Sequence, residues 1–484
     1  MDDLSALQMA KLVREKEVSS RELILDAFKR IDEKNEALNA VISQRQEKAL
    51  QESEALVDQG QTFLGVPLLI KGLGQSLAGE SSTAGSRLLR QQVASQTNFF
   101  VQALQRAGFI IIGQTNVPEF GFKNITDSKL YGNAHNPWNL DYQPGGSSGG
   151  AAASVAAKLV PIAAGSDGGG SIRIPSSFSG LVGLKPTRGR VPVGPSDWRS
   201  WQGAAIDFGL TRNISDTAAL LDSLQTFQTA AVFQVPPFKS GFLAGLAKPL
   251  PKLKIAFSDV SPVGTPVSDE AKQAVHQAVH FLEEQGHEVE EASPDVNGVD
   301  LMETYYQMNA GETAAMMEDL AIGFQRPIKK DEVEPLTWAL SETGKHISAA
   351  DYSHALSKWD AAGYVMDQFL DDFDLYLTPT TAWPAPKVGD PLISPENQQK
   401  LAIIESFSPS AQQQLIYDQW LPALTRSPFT QQANLTGQPA ISLPTHVTQD
   451  GLPLGIQFLA KKGDEMKLLR IGKLFENADQ FKRL

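Results

Sequence analysis

The sequence predicts an α/β protein with a large mixed, mostly parallel twisted sheet covered by helices on both faces. This expectation rests on two stretches in which short apolar runs alternate with helical patterns. Residues 63–72 form an apolar run ending at Lys71, and residues 98–116 give a helix, a stop at Gly108 and a second apolar run. Residues 252–292 repeat the order strand, helix, glycine stop and strand. A chain of 484 residues that is 42% hydrophobic can bury such a core.

The first part of the chain is typical of helices. Ser19 and Glu22 have the spacing of a capping box, in which each side chain binds the backbone N–H of the other residue. Leu23 and Ile31 then fall on one face of the helix that follows. These patterns predict an N-terminal helical segment over residues 1–60.

Three apolar runs near the other end of the chain predict further strands, at 374–381, 440–447 and 455–460. The last of them precedes a helical pattern from Asp464 to about Asn477. Strands are therefore expected in both halves of the chain, which favours a single sheet.

Charge and composition exclude several classes of function. The chain carries 55 acidic and 42 basic residues, a net charge of −13, which argues against a nucleic-acid surface built from clustered Lys and Arg. The absence of cysteine excludes disulfides, thiolate metal sites and cysteine nucleophiles. The chain is charged from its second residue and no apolar run approaches about 18 residues, so we expect a cytoplasmic protein with no signal peptide and no membrane span.

Two clusters of small residues stand out, QPGGSSGGAAASVAA at 143–157 and IAAGSDGGGSIRIPSS at 162–177. Each is compatible with a turn or with tight packing of a helix on a strand. Neither is followed by the Lys of a phosphate-binding P-loop, and neither lies in the strand–turn–helix context of a dinucleotide site. The clusters therefore predict either close packing or chemistry that needs exposed backbone.

Serine chemistry fits the second cluster better than phosphate binding does. A serine nucleophile needs N–H groups that stabilise the oxyanion of its tetrahedral intermediate, and backbone amides are fixed before the reaction starts. Side chains would obstruct a carbonyl that approaches those amides. Gly168, Gly169 and Gly170 together with Ser171 satisfy this requirement.

A base for this serine is harder to find among the histidines. His276 and His280 lie four residues apart on a polar helix, a spacing that favours a solvated face over a metal pair because no third ligand presents itself. His135 is nearest the serine clusters, and a structural hydrogen bond is its expected role. Lys71 is the alternative, because burial at the end of an apolar strand lowers the pKa of a lysine; a lysine that reaches out to water is the competing interpretation.

Lys71 after GVPLLI, Ser147 in GGSSGG and Ser171 in GSDGGGSIRIP together resemble the amidase signature family. The spacing of the two serines agrees with that family, and the resemblance spans nearly the whole chain, being weakest over about 225–370. GVPLLIKGLGQSLAG and the stretch 192–208 look like the branch that includes hydrolases of 6-aminohexanoate cyclic dimers. Membership implies the amidase signature fold and an amide hydrolase that needs no cofactor and no metal.

The resemblance also implies roles for individual residues. Ser171 would be the nucleophile that forms an acyl-enzyme, Ser147 would relay its proton, and Lys71, neutral in the free enzyme, would be the base. Ser147 would follow a cis peptide bond. The oxyanion hole would be formed by the backbone from Gly168 to Ser171, and Gly121 would border the acyl pocket.

Other residues of the loop are expected to be structural or to depart from the family. Asp167 and Arg173 are expected to hold the loop in place. Many members of the family have a larger residue, often Thr, where this chain has Gly168, and this difference predicts a wider or looser rim of the hole.

Two rival functions remain open from the sequence. The glutaminase subunit of a tRNA-dependent amidotransferase belongs to the same family, but residues 357–374 lack the Arg that holds the glutamine carboxylate there. A scaffold that kept the fold and lost its chemistry is the other alternative, although all three triad residues are present. We expect a small-molecule amide as the partner, no nucleic acid, no membrane, and a monomer or homodimer.

We expect a single domain, 1–484, with four parts. Residues 225–250 are rich in Pro, Gly and Phe and indicate a connector, after which the pattern becomes less regular. The parts are an N-terminal helical segment (1–60), a catalytic core (61–224), a less regular lobe that lines the substrate site (225–430) and a C-terminal return to the core (431–484).

Overall fold

The computed structural model describes residues 3–484, and its strands belong to one large sheet and a two-stranded ribbon. In chain order the strands are β1 (Val41–Gln44), β2 (Pro67–Lys71), β3 (Ile110–Thr115), β4 (Asp127–Ser128), β5 (Gly132–Asn133), β6 (Ile162–Asp167), β7 (Val182–Lys185), β8 (Ile206–Thr211), β9 (Lys254–Phe257), β10 (Glu288–Glu291), β11 (Leu375–Pro379), β12 (Ala440–Val447) and β13 (Pro453–Leu459). Over the described residues the large sheet has 11 strands in the order β1-β3-β2-β6-β8-β7-β12-β13-β11-β9-β10, and β4 pairs with β5 in the ribbon.

The predicted mixed α/β sheet is confirmed, and parallel pairs occur where the strand–helix repeats predict them. Strands β3, β2 and β6 run parallel, as do β11, β9 and β10. The strands between these two groups pair antiparallel, and so does β1 at the sheet edge. The sheet contains more antiparallel pairs than the strand–helix repeats indicated. One of them, β12 with β13, follows from the short turn that joins these strands, which permits only antiparallel pairing.

The helices follow the order expected from the sequence and add long ones in the second half of the chain. They are α1 (Ala6–Arg14), α2 (Ser20–Leu38), α3 (Gln46–Glu54), α4 (Phe99–Arg106), α5 (Gly149–Ala156), α6 (Arg173–Ser179), α7 (Ile214–Leu224), α8 (Phe242–Gly245), α9 (Asp269–Glu284), α10 (Gly298–Phe324), α11 (Pro335–Gly344), α12 (Ala349–Asp372), α13 (Pro395–Leu401), α14 (Pro409–Arg426), α15 (Gln431–Thr436) and α16 (Glu465–Asn477). Within the described part of the chain, no helix has both the length and the apolar character needed to cross a membrane.

Local signals in the sequence set many of these boundaries. Ser19 caps α2, and its capping box with Glu22 is formed. Gly108 and Gly286 adopt positive φ after α4 and α9, where a residue without Cβ avoids strain. Strand β2 ends at Lys71, as predicted.

Helices cover both faces of the sheet, and strand β12 shows how. Successive side chains of a strand point to opposite faces. Leu443 lies on the α16 side, where a Cβ on Gly472 would touch it at 3.3 Å. Ser442 lies on the α6 side, where a Cβ on Gly455 would come within 2.8 Å of its Oγ and 3.2 Å of Ser177. Small residues on this second face let α6, which follows the second glycine cluster, approach the sheet closely.

The segment 225–430 contributes to two parts of the molecule. Strands β9, β10 and β11 complete one edge of the large sheet. Helices α10, α11, α12 and α14 form an apolar cluster outside the main core, built around residues such as Tyr306, Leu340 and Trp420. The division of the chain at 225 and 430 stays a prediction.

Candidate active site

The end of strand β2 buries Lys71 among hydroxyl groups. The side chain is 1% exposed, and its Nζ lies 2.8 Å from Ser147 Oγ and 2.8 Å from Ser166 Oγ. The structure therefore brings Lys71 and Ser147 together, although 76 residues separate them. Ser166 was not recognised from the sequence, because a serine inside a strand gives no local signal of such a contact.

Burial favours the neutral amine of Lys71. Loss of hydration lowers its pKa to about 7 from an ordinary value of 10.5, although the negative charges of Asp207 and Asp167 oppose the shift. A lysine in this state can accept a proton near neutral pH. The competing interpretation, a strand-end lysine that reaches out to water, is therefore wrong.

Ser147 precedes helix α5 and follows a cis peptide bond, Gly146–Ser147. The glycines after it serve close packing. A Cβ on Gly150 would come within 2.3 Å of Asn116 N and 2.5 Å of Ala40 O. For this part of the first cluster, the packing interpretation is the right one, because α5 lies directly on backbone atoms.

The three glycines before Ser171 each face a side chain from another part of the chain. A Cβ on Gly168 would lie 2.8 Å from the Trp201 ring, and one on Gly169 would lie 2.5 Å from the Tyr305 hydroxyl. A Cβ on Gly170, whose φ is +122°, would lie 2.3 Å from Thr430 Oγ1. No larger residue fits at these positions unless its neighbours move.

A buried ion pair holds this loop in shape. Asp167 and Arg173 are both fully buried and form two hydrogen bonds of 2.9 Å. Burial opposes ionisation of Asp167, but the Arg173 charge outweighs it and holds the pKa of that carboxyl below its usual value. Asp167 Oδ1 also accepts from Gly170 N at 2.7 Å, so this N–H is engaged within the loop. The structural roles expected for Asp167 and Arg173 agree with these contacts.

Ser171 faces two cavities. The larger, of about 390 Å³, is also lined by Ser147 and Ser166. The smaller, of about 60 Å³, is also lined by Gly169 and Tyr305. Gly121, with φ +75°, borders both cavities, and a Cβ there would lie 3.3 Å from Ser147 Oγ. Of the residues predicted from the sequence, Gly121, Ser147, Gly168 and Ser171 line the larger cavity, Gly169 lines the smaller one, and Lys71 lies behind Ser147.

The comparisons agree with this geometry. The model of the family described as Amidase matches residues 22–469. A 6-aminohexanoate-cyclic-dimer hydrolase of Paenarthrobacter ureafaciens is 33% identical over 98% of this chain and 94% of that protein. The chain belongs to the amidase family. It is an amide-hydrolysing enzyme.

Two further comparisons, with a curated relative and with a solved structure, give the same family. A lipoamidase of Enterococcus faecalis is 51% identical over 98% of the amidase, which spans only 63% of the length of that relative. The solved structure of a 6-aminohexanoate cyclic dimer hydrolase complexed with substrate superimposes with a TM-score of 0.87 at 31% identity, covering 98% of the amidase and 97% of that chain. The resemblance to the amidase signature family is confirmed.

Trp201 lines both cavities of the amidase. Its backbone is left-handed, with φ 48° and ψ 49°, and its ring stacks on Phe122 with centroids 6.1 Å apart and lies edge-on to Tyr305. The space that a larger residue at Gly168 would use is filled by this ring. The structure therefore shows no widened rim at Gly168, since a tryptophan from another segment takes up the volume.

Trp359 and His135 lie outside the two cavities, and the position of His135 agrees with the structural role expected from the sequence. Trp359 is buried in the helical cluster and donates to Thr304 Oγ1 at 3.0 Å. His135 Nδ1 lies 2.7 Å from the Leu140 carbonyl oxygen, a structural contact. Among the described residues, no histidine lines either cavity.

Proposed function

We propose that the amidase cleaves a carboxylic amide to an acid and an amine or ammonia, through an acyl-enzyme on Ser171. The observation that carries this proposal is the buried contact between Lys71 and Ser147 at the wall of the cavity that Ser171 also lines. A neutral amine, a bridging hydroxyl and a second hydroxyl at the opening are the components of a proton relay.

The reaction then runs in two halves. Ser171 Oγ attacks the amide carbon, its proton passes to Ser147, and the proton of Ser147 passes to Lys71. When the C–N bond breaks, the proton on Lys71 returns through Ser147 to the leaving nitrogen, since an amine anion is a poor leaving group. In the second half, water attacks the acyl-enzyme and gives its proton to the same relay. The bond to Ser171 Oγ then breaks, the proton returns to Ser171, and the acid is released.

The backbone of the glycine loop supports stabilisation of the oxyanion. The N–H of Gly170 is engaged by Asp167, so we assign the hole to the N–H groups of Gly168, Gly169 and Ser171. Donors fixed by the ion pair of Asp167 and Arg173 do not have to reorganise during the reaction, which is the condition for strong stabilisation.

The lining of the larger cavity favours an acyl group without a carboxylate. Among the described residues that line it, none is Arg or Lys, and Phe100, Phe120 and Trp201 supply apolar surface. Free glutamine would leave its carboxylate without a partner there. Lipoamide and the cyclic dimer of 6-aminohexanoate belong in a substrate panel because relatives are named a lipoamidase and a 6-aminohexanoate-cyclic-dimer hydrolase.

The glutaminase interpretation keeps one supporting observation. The glutamyl-tRNA(Gln) amidotransferase of Lactiplantibacillus plantarum has a subunit that is 31% identical over 99% of this chain and 96% of that protein. We expect the purified amidase to hydrolyse neutral amides without tRNA, ATP or a partner protein. Activity that appears only in a complex, or tight binding of glutamine, would establish the rival function instead.

The nucleophile is tested by Ser171→Ala. Amide and ester hydrolysis should fall by several powers of ten, because the acyl-enzyme cannot form. Thermal melting should stay close to that of the wild type, since only one hydroxyl is removed. Residual activity above about one percent of the wild type would refute the assignment of Ser171.

A further inference from the structure

Strand β8 carries Asp207, whose carboxylate lies near Ser166, one of the serines that contact Lys71. Ser166 on β6 pairs directly with Asp207 on β8. Directly opposed residues on neighbouring antiparallel strands project to the same face, with Cβ atoms about 5 Å apart. Because the Ser166 hydroxyl contacts Lys71 Nζ at 2.8 Å, Asp207 lies on the face of the sheet that carries the amine.

Gln75 connects this carboxylate to the backbone of Lys71. Its Nε2 donates to Asp207 Oδ1 at 2.9 Å and to the Gly165 carbonyl oxygen at 2.9 Å, while its Oε1 accepts from Lys71 N at 2.7 Å. Gln75 is 2% exposed, so its amide group is shielded from water, whereas Asp207 is half-buried and lines the larger cavity. The proton relay proposed above uses neither Gln75 nor Asp207.

We propose that Asp207 is a positioning residue for Lys71, whose negative charge stabilises the protonated amine and so sets the pH at which the enzyme becomes active. The inference rests on the proposed function, in which Lys71 must be neutral to start the reaction. The same charge stabilises the ammonium that forms when Ser171 attacks. An aspartate beside a catalytic histidine has this effect on the imidazolium in serine hydrolases of another kind.

The other charges around Lys71 leave this role to Asp207. Asp167, at the end of β6, is the second carboxylate that acts on Lys71, but it is paired with Arg173. Asp207 has no such cation of its own, and the charges that act on it are those of Lys71 and Asp197. Burial raises the pKa of Asp207 to about 6, against the opposing effects of Gln75 and Lys71, which is below the Lys71 pKa of about 7, so Asp207 ionises before Lys71 loses its proton.

The test is the pH dependence of kcat/KM for a neutral amide, measured from about pH 5 to about pH 10. In the wild type the rate should rise with a midpoint near the Lys71 pKa of about 7. In Asp207→Asn, whose amide oxygen can still accept from Gln75, the midpoint should fall by about one pH unit, a tenfold change in the ionisation equilibrium of Lys71. Amide turnover at the alkaline plateau should also fall, because the ammonium is less well stabilised.

Two further variants separate charge from structure. Asp207→Glu keeps the charge, and its midpoint should stay near that of the wild type. Glu312→Gln removes another carboxylate that lines the same cavity, one held by Gln202 at 2.8 Å and by Tyr352. Its midpoint should not move, whatever happens to KM. If Asp207→Asn does not fold, Asp207→Ser supplies the neutral residue for the same measurement.

The outcomes distinguish this inference from the proposed function. A midpoint in Asp207→Asn equal to that of the wild type, with Lys71→Ala inactive, would overturn the role of Asp207 and leave the relay intact. A wild-type profile in Lys71→Ala would overturn the relay itself. A lower midpoint in Asp207→Asn that Asp207→Glu restores would establish the role.

Discussion

Two lysines of this amidase are buried in the same way and differ in what surrounds them. Lys71 ends strand β2 and Lys185 ends strand β7, and each is 1% exposed. Burial is the largest cause that lowers the pKa of both amines. Position at a strand end and loss of hydration therefore do not distinguish them.

Their partners do. Lys71 Nζ lies 2.8 Å from the hydroxyls of Ser147 and Ser166, whereas Lys185 Nζ donates to the Pro186 carbonyl oxygen at 2.9 Å. Carboxylates oppose the lowering of the pKa of both amines, so they do not distinguish the two. The charges of Arg173 and Arg188 lower the pKa of Lys185 further. A carbonyl oxygen has no proton to give, so a neutral amine beside it cannot act as a base toward it. Both amines are buried, but only Lys71 contacts a serine, Ser147, that lines the larger cavity. Under the proposed function, this contact is what makes Lys71 a base and leaves Lys185 without a catalytic role.

The comparison makes its largest prediction for activity. Lys71→Met should lose amide turnover by about a thousandfold or more, because the relay loses its base. Ester turnover should fall less, since an alkoxide leaves with less need of a proton. Lys185→Met, a replacement of the same kind, should keep amide turnover within about tenfold of the wild type.

Steady-state kinetics on an aryl amide and its matching ester, with thermal melts of both variants, measure this contrast. Equal losses in the two variants would mean that burial, and not the hydroxyl chain, is what matters. Near-normal amide rates in Lys71→Met would make Lys71 a structural residue like Lys185.

A second prediction concerns the larger cavity, which is lined by Ser147, the serine that contacts Lys71. Gly168→Ala places a Cβ 2.8 Å from the Trp201 ring, so the ring or the loop must shift, and both cavities that Trp201 lines change shape. We expect kcat/KM to fall about tenfold, mostly through KM, with the pH midpoint unchanged. Gly323→Ala is the matched control, because a Cβ there meets nothing within 4 Å in helix α10.

Gly323→Ala should leave kinetics unaltered and stabilise the helix by up to about 1 kcal/mol. If Gly168→Ala behaves like this control, the contact between Gly168 and Trp201 does not shape the cavity. A shifted pH midpoint in Gly168→Ala would instead mean that the loop acts on Lys71.

The smallest expected effect is on the free energy of unfolding, which should change in the same direction when either lysine is replaced. Because the pKa of folded Lys71 is about 7, the unfolded chain binds a proton that the folded chain lacks between about pH 7 and 10.5. Wild-type stability should therefore rise with pH across this window and be lowest below it. Lys71→Met removes the free-energy cost of burying this amine and also removes its hydrogen bonds. The net effect should be a stabilisation of the protein by about 2 kcal/mol at neutral pH.

Urea unfolding at about pH 7 and about pH 10 measures this effect. The gain from Lys71→Met should shrink at the higher pH, and Lys185→Met should change in the same direction. A gain that is independent of pH would show that folded Lys71 keeps its proton.

Much of the site was predictable from the sequence because its parts carry strong local signals. A lysine after an apolar run, paired small-residue clusters and the spacing of Ser147 and Ser171 identified the family and the triad candidates. Asp167 and Arg173 were recognised as structural since they flank the glycines. Ser166, Gln75 and Asp207 were missed, because each gives no signal until strands from distant parts of the chain lie side by side.

The sequence by itself determined the α/β class, the end of β2, the start of α2, the glycine stop after α4 and the glycine loop, since hydrophobic periodicity, caps and glycine stops act over a few residues. Only the tertiary structure decided the antiparallel centre of the sheet and the hydroxyl partners of Lys71. It also placed Trp201 in the space that Gly168 leaves open. These features depend on contacts between residues far apart in the chain, and the physical reason is that strand order and packing volume are settled by the whole core rather than by any one segment.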